Sequence, residues 1–177
     1  MNDLALFTLI KSILDTSLAA NDLDDVIVTQ DYQAEQQGRM TARTLYLHKI
    51  ADNRYGYPLK EDLFDDEDFI HRETNNQETT FQVSAYVPVN PASTTELTAG
   101  DLAAIAAQIM QSDVALAALK AQNVGIYRIT QVRQIFIRNE YDRNEASPSF
   151  DFVLTHKRVF ETRTPKVSSY EIGIHHV

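Results

Sequence analysis

Apolar residues recur along this chain at two different periods. Near the start, Leu6, Ile10, Ile13 and Leu18 fall at helical spacing, and Leu9 and Leu14 widen the stripe. Asn2 or Asp3 stands at the N-cap position, and the polar Asn21, Asp22, Asp24 and Asp25 end the helix. Val26 to Gln30 ("VIVTQ") is a short strand candidate, and "DYQAEQQGR" after it reads as a polar loop. "TARTLYLHKI" (41–50) reads as a strand with mixed faces. Segment 51–77 carries Gly56, Pro58 and a dense acidic run, and reads as one long loop.

From 79 to 87 the period is two. Phe81, Val83, Ala85 and Val87 share one face, and Thr80, Gln82, Ser84 and Tyr86 the other, as in an antiparallel strand with one buried side. Pro88 and Pro91 stop it. Thr98 with Asp101 forms a potential capping box for a helix whose inner stripe is Leu102, Ile105, Ala106 and Ile109. Ser112 reads as the cap of a second short helix bearing Val114, Leu116 and Leu119, with Gly125 at its left-handed end. The β-branched run 126–138 reads as a further main strand, "NEYDRNEASPS" as a loop, and Phe150, Phe152 and Leu154 as the inner face of the next strand. "ETRTPK" breaks that pattern. Tyr170, Ile172 and Ile174 alternate again, so a last strand or extended arm is expected.

The order helix, strands, helix pair, strands predicts an α+β fold. An antiparallel or mixed sheet of about four main strands packs against an N-terminal helix and a central helix pair. A long loop (51–77) and a C-terminal extended arm (158–177) complete one domain, 1–177. No internal repeat or domain boundary interrupts it.

Composition narrows the function. The 177 residues are 44% apolar, enough for a real core, and carry a net charge of −9 from 16 basic and 25 acidic side chains. That balance argues against gripping nucleic acid by its phosphates. The chain has no cysteine, which excludes a disulfide scaffold, a thiolate metal site and a cysteine nucleophile. Asp3, Lys11 and Asp15 interrupt the first apolar run, so a signal peptide is not expected. No stretch approaches the roughly 18 apolar residues that span a bilayer. These features together predict a soluble protein that is not secreted and does not enter membranes.

Candidate chemistry is thin. Glu61, Asp62, Asp65, Asp66, Glu67 and Asp68 could converge on a hard cation, but the order of a calcium loop and its turn glycine are missing. The plainer reading is a solvated loop. His48, His71, His156, His175 and His176 show no H-E-x-x-H spacing; His48 and His156 lie on different strands that could meet across a sheet. Nucleophile-elbow and phosphate-loop motifs are absent, and the five glycines are scattered. Arg128, Arg133, Arg138 and Arg143 could form a positive stripe; ion pairing with nearby acids is the plainer account. No residue is assigned a catalytic, cofactor-binding or metal-ligating role, and no cofactor is expected. The residues alone lead to an acidic α+β domain that is not an enzyme.

Several pieces in order resemble the tail terminator and neck terminator proteins of tailed bacteriophages: the amphipathic N-terminal helix, "VTQDYQAEQQGRMTARTLYLHKI", "ETTFQVSAYVP", "TAGDLAAIAAQIMQSDVALAALKAQNVGI", and the pair "IYRITQVRQIFIRNEYDRNEASPSFDFVLTHK". They span about residues 4–157. None is a catalytic signature. The resemblance implies a structural virion protein, assembled in the host cytoplasm, that forms a homo-hexameric ring at the head-proximal end of the tail tube. The ring would end tube polymerisation and join the tail to neck or connector proteins. Its partners would be itself, the tube protein, the neck proteins and a sheath, with DNA passing through the lumen unbound. Segment 51–77 and the tail beyond Lys157 exceed the resemblance and are candidate contact regions. Competing readings are another head–tail joining component, a metal-dependent enzyme using Glu61–Asp68 with His71, and a monomeric ligand-binding module.

Overall fold

The structure is a computed structural model and describes residues 1–30, 42–88, 96–134, 136–138 and 144–166. It is α+β. Helix α1 (Asp3–Ala19) is capped by Asn2, whose side chain accepts from the Ala5 amide at 2.9 Å. Its inner stripe is Leu6, Phe7, Ile10, Ile13, Leu14 and Leu18, all buried. Strand β1 (Ile27–Gln30) follows, then β2 (Thr44–Phe64) and β3 (Asp68–Tyr86). Helices α2 (Ala99–Gln111) and α3 (Asp113–Ala121) lead to β4 (Gly125–Ile129). Strands β5 (Phe136–Arg138) and β6 (Asn144–Ala146) form a separate two-stranded ribbon before β7 (Ser149–Pro165).

The main sheet is open and five-stranded, in the order β1-β2-β3-β7-β4. It is mixed: β1 runs parallel to β2, and every other pair is antiparallel. Its inner face joins Leu45, Leu47, Phe81, Val83, Ala85, Phe150, Phe152 and Leu154 to the helices. Phe81 meets Phe7 edge-on at 5.2 Å and stacks on Phe152 at 5.7 Å. Helix α2 adds Leu102, Ala103, Ala106, Ala107, Ile109 and Met110, and its alanines allow close approach to the sheet.

Both expected caps on the helix pair are present. Thr98 accepts from the Asp101 amide while Asp101 accepts from the Thr98 amide, a full capping box. Ser112 ends α2 and caps α3 by accepting from the Ala115 amide. Among the described residues no single helix is long and apolar enough to cross a membrane. The bent α2–α3 pair passes by length and composition only, and much of its apolar surface lies in the core.

Several expectations change. Segment 51–77 is not a loop but the outer part of β2 and β3, one long hairpin. "ETRTPK" does not break the last strand; it extends β7 to Pro165. The run 126–138 is no single strand: β4 ends at Ile129, Thr130 and Arg133 bond back to Asp151 and Ser149, and 136–138 forms the separate β5. Helix α3 buries Ala115 and Leu119, while Val114 and Leu116 face outward. The left-handed residue after α3 is Asn123, at φ 55°, and Gly125 opens β4 instead. The expected alternation at Tyr170, Ile172 and Ile174, with His175 and His176, lies outside the described residues, as do the "DYQAEQQGR" segment and Arg143.

Candidate functional site

The feature that sets this domain apart is an arm. Beyond the core, β2, β3 and β7 continue together as a three-stranded ribbon, with pairs running out to Phe64–Phe69 on one side and Asp68–Pro165 on the other. From His156 to Pro165 the ribbon reaches about 30 Å at the usual rise per residue. Strand β2 is exposed throughout 50–64, and β7 throughout 157–165. Among the described residues no helix covers either side there, so the ribbon stands on strand pairing and cross-strand side-chain contacts.

Those contacts are largely ionic. Arg72, on the central strand, donates to Glu161 at 2.7 Å and approaches Glu61 at 4.0 Å. His71 bonds Asp62 at 2.6 Å and Glu73 at 3.3 Å, and these carboxylates raise its pKa. The acidic run forms the tip. Asp66 takes the left-handed turn at φ 70°, and the Asp65 carboxylate accepts from the Asp68 amide at 2.9 Å. That amide chiefly, helped by the Glu67 amide and by Arg163, holds the Asp65 carboxyl below its usual range. Lys166 donates to the Asp66 carbonyl at 2.6 Å, tying β7 to the turn. The acids are thus spread over a hairpin end. Among the described residues no group of three or more His, Asp or Glu is placed to hold a metal ion.

The arm joins the body at a polar knot. Thr79, Gln77 and His156 are buried there, in phase with the inward-facing Phe81 and Leu154. Thr79 donates to Asp52 at 2.7 Å, Asp52 pairs with Lys49 at 2.5 Å, and Lys49 reaches Asp3 on α1 at 2.7 Å. The N-terminal amine bonds the Lys157 carbonyl. Burial works against both charges, yet the pairing wins: Asp52 is pushed down and Lys49 up. Sequence reasoning missed this knot. The signal was phase: Thr79 and His156 each sit two residues from an inward-facing apolar residue on the same strand.

Other candidate residues separate. His48 is exposed opposite Gln82 on one side of β3, whereas His156 lies opposite Gln77 on the other, so the two histidines do not meet. Arg133 forks onto Asp151 at 2.7 and 2.9 Å, an ion pair within the chain. Arg138 lies on the small β5–β6 ribbon. Arg128 stands exposed on β4 at the rim of a shallow groove of about 270 Å³, lined by Gln111, Leu116, Ile126, Tyr127 and Ile129.

Residues 5–166 match the family described as E217 gateway protein gp29. The chain belongs to the E217 gateway protein gp29 family. The gateway match takes in the core and the arm out to its tip, and the phage-neck resemblance drawn from the sequence stands with it. The fold is also similar to the sheath/tube terminator of an extracellular contractile injection system, PVC, in its extended state. That likeness has a TM-score of 0.46 at 10% identity, over 96% of this chain and 63% of that one. The chain therefore spans less than two thirds of the terminator's length. No curated protein matches it significantly by sequence.

Proposed function

We propose that this protein is a structural, non-enzymatic component of the phage head–tail junction. It forms a homo-hexameric ring at the head-proximal end of the tail tube, ends tube growth, and joins the tail to the neck or connector. The observation that carries this reading is the gateway family match over residues 5–166. Two features of the molecule support it. A closed ring needs two unlike complementary patches on each subunit, and this chain exposes a long arm at one place and a shallow groove of mixed lining at another. Its net charge of −9 suits a ring through which DNA slides without being held. The tube protein, neck proteins and a sheath are its proposed partners, and the virion neck its place after assembly in the host cytoplasm.

The test is tube assembly. Tube protein polymerised with and without this chain should give shorter, blunt-ended tubes when it is present, with six-fold density at one end by electron microscopy. Unchanged tube lengths with no end density would overturn the proposal. A second reading, a joining component that does not stop growth, is favoured by the family description "gateway". It predicts density at tube ends without shortening.

A further inference from the structure

The arm exposes more apolar surface than a free ribbon has use for. Phe64 is 53% exposed and Phe69 56%, their rings 4.8 Å apart at the tip, and Leu63 beside them is 42% exposed. Burying such side chains is favourable in proportion to the apolar area taken from water, so a surface that covers the tip gains by it.

The arm's edges are poor templates for another strand. On the β2 side, the register slips between Tyr55 and Leu59, where Gly56 takes φ 72° and Tyr57-Pro58 bulges out. On the β7 side, Lys157, Arg158 and Arg163 line the exposed end. Bulges, prolines and cations are the usual guards against edge pairing. What the arm offers is therefore its tip: an aromatic pair flanked by Asp65, Asp66 and Glu67.

The matching surface is on the same chain. The groove between α3 and β4 presents Leu116, Ile126 and Ile129, with Tyr127 70% exposed and Arg128 at its rim. The groove offers apolar side chains with one cation, Arg128, at its edge; the tip offers an aromatic pair with Asp66 and Glu67 beside it, its Asp65 engaged by Arg163. One chain cannot join the two. The arm leaves the body beyond the Gly125–Thr155 pair at the start of β4, and its tip stands about ten residues, or roughly 30 Å, further out along a paired ribbon.

We infer that the arm tip of one copy seats in the α3–β4 groove of the next, a head-to-tail contact that closes the ring. This rests on the ring reading above and adds the surfaces that make it. An interface between unlike patches repeats around a ring until it closes. Charge complementarity between tip and rim sets the register, and the aromatic pair supplies the buried centre.

The absence of cysteine makes the test direct. A Glu67→Cys/Tyr127→Cys double variant is oxidised with diamide, alongside each single variant, with circular dichroism as the check on folding. Wild-type protein is imaged in parallel by negative stain, alone and on tube ends. The expected result is a covalent ladder from the double variant that stops at the ring's copy number. Equal mixing of the two single variants should give a covalent dimer that neither gives alone. Glu67→Lys with Arg128→Glu in one chain should restore rings that either change alone weakens. Wild-type rings without a ladder or a mixed dimer would overturn this contact and leave the ring reading standing. No rings in solution or on tubes would overturn both.

Discussion

The Thr79 hydroxyl lies 2.9 Å from Nε2 of the buried His156 ring. Its single proton is committed to Asp52, at 2.7 Å, so Nε2 must donate to the Thr79 oxygen. Neutral His156 therefore carries its proton on Nε2 and turns a bare Nδ1 inward. That Nδ1 has no hydrogen-bond partner. Adding a proton there would place a charge in the interior, where burial disfavours it.

Acid should therefore loosen the protein through this residue. Burial chiefly, and the N-terminal charge in addition, hold the His156 pKa below its ordinary value of 6.5, against the Lys157 backbone and the Asp52 and Asp3 carboxylates. In the unfolded chain the ring takes its proton near the ordinary value, so between the two pKa values the unfolded state binds more protons. The contribution of neutral His156 is complete above about 6.5 and is lost as pH falls through that value towards the folded pKa. His71 acts with the opposite sign: its raised pKa stabilises below its unfolded value and is lost as pH rises through the folded one, weakly because the group is exposed. Urea unfolding from about pH 8 to about pH 5 should show stability declining on acidification. His156→Leu should flatten that decline; an unchanged slope would remove His156 as its source.

The helix pair depends on its two caps. Thr98→Ala removes the acceptor for the Asp101 amide and the Asp101 bond to the hydroxyl, and Ser112→Ala removes the acceptor for the Ala115 amide. Each should cost about 1 kcal/mol, or roughly 2–4 °C in Tm for a domain of this size. Thr98→Ser should keep most of that stability. Equal melting temperatures for Thr98→Ala and wild type would show the box to be idle.

What could be read in the sequence was whatever faces the core. The stripe of α1, the Phe81–Val83–Ala85 face and both caps were legible because burial on one side imposes a period and a helix start demands a hydroxyl or carboxylate. The arm was not, because a ribbon exposed on both sides has no reason to alternate. Glu61 and Asp62 look like loop residues, yet β3 holds them in a strand through backbone pairing, which leaves no mark on the choice of side chain, while Pro58 sits in the register slip between Tyr55 and Leu59. Gly125 was misread for a related reason. Its role is not chain reversal but close approach: a Cβ there would stand 2.5 Å from the Thr155 hydroxyl. In α3 the small Ala115 takes the buried place between helix and sheet that the larger Val114 was expected to fill.

Two phenylalanines should separate body from arm. Phe81 is fully buried between Phe7 and Phe152, and Phe81→Ala should cost about 3–5 kcal/mol. Phe160, on the arm, is 64% exposed, and Phe160→Ala should change monomer stability by no more than about 0.5 kcal/mol. Denaturant midpoints of the two variants check this. A loss at Phe160 comparable to that at Phe81 would mean the arm is packed against something even in the monomer.

The arm should also open by itself. A strand is held against opening by its hydrogen bonds and by the apolar surface packed over it. In the body both act: amides near Phe81, Val83, Phe152 and Leu154 lie under α1 and α2. In the arm the ladder and exposed cross-strand ion pairs act, with a register slip between Tyr55 and Leu59, and among the described residues no helix packs over it. A three-stranded ribbon without a buried face has little stability of its own. Hydrogen exchange should therefore release the amides of 54–76 and 157–165 well before those of 79–86 and 150–155, with the boundary at the Thr79–His156 knot. Ile70 is the one position where the gradient should bend, because its side chain is 7% exposed in an otherwise open ribbon. Uniform protection from tip to core would mean that the arm and the body unfold as one unit, and that the polar knot transmits stability instead of marking where it ends.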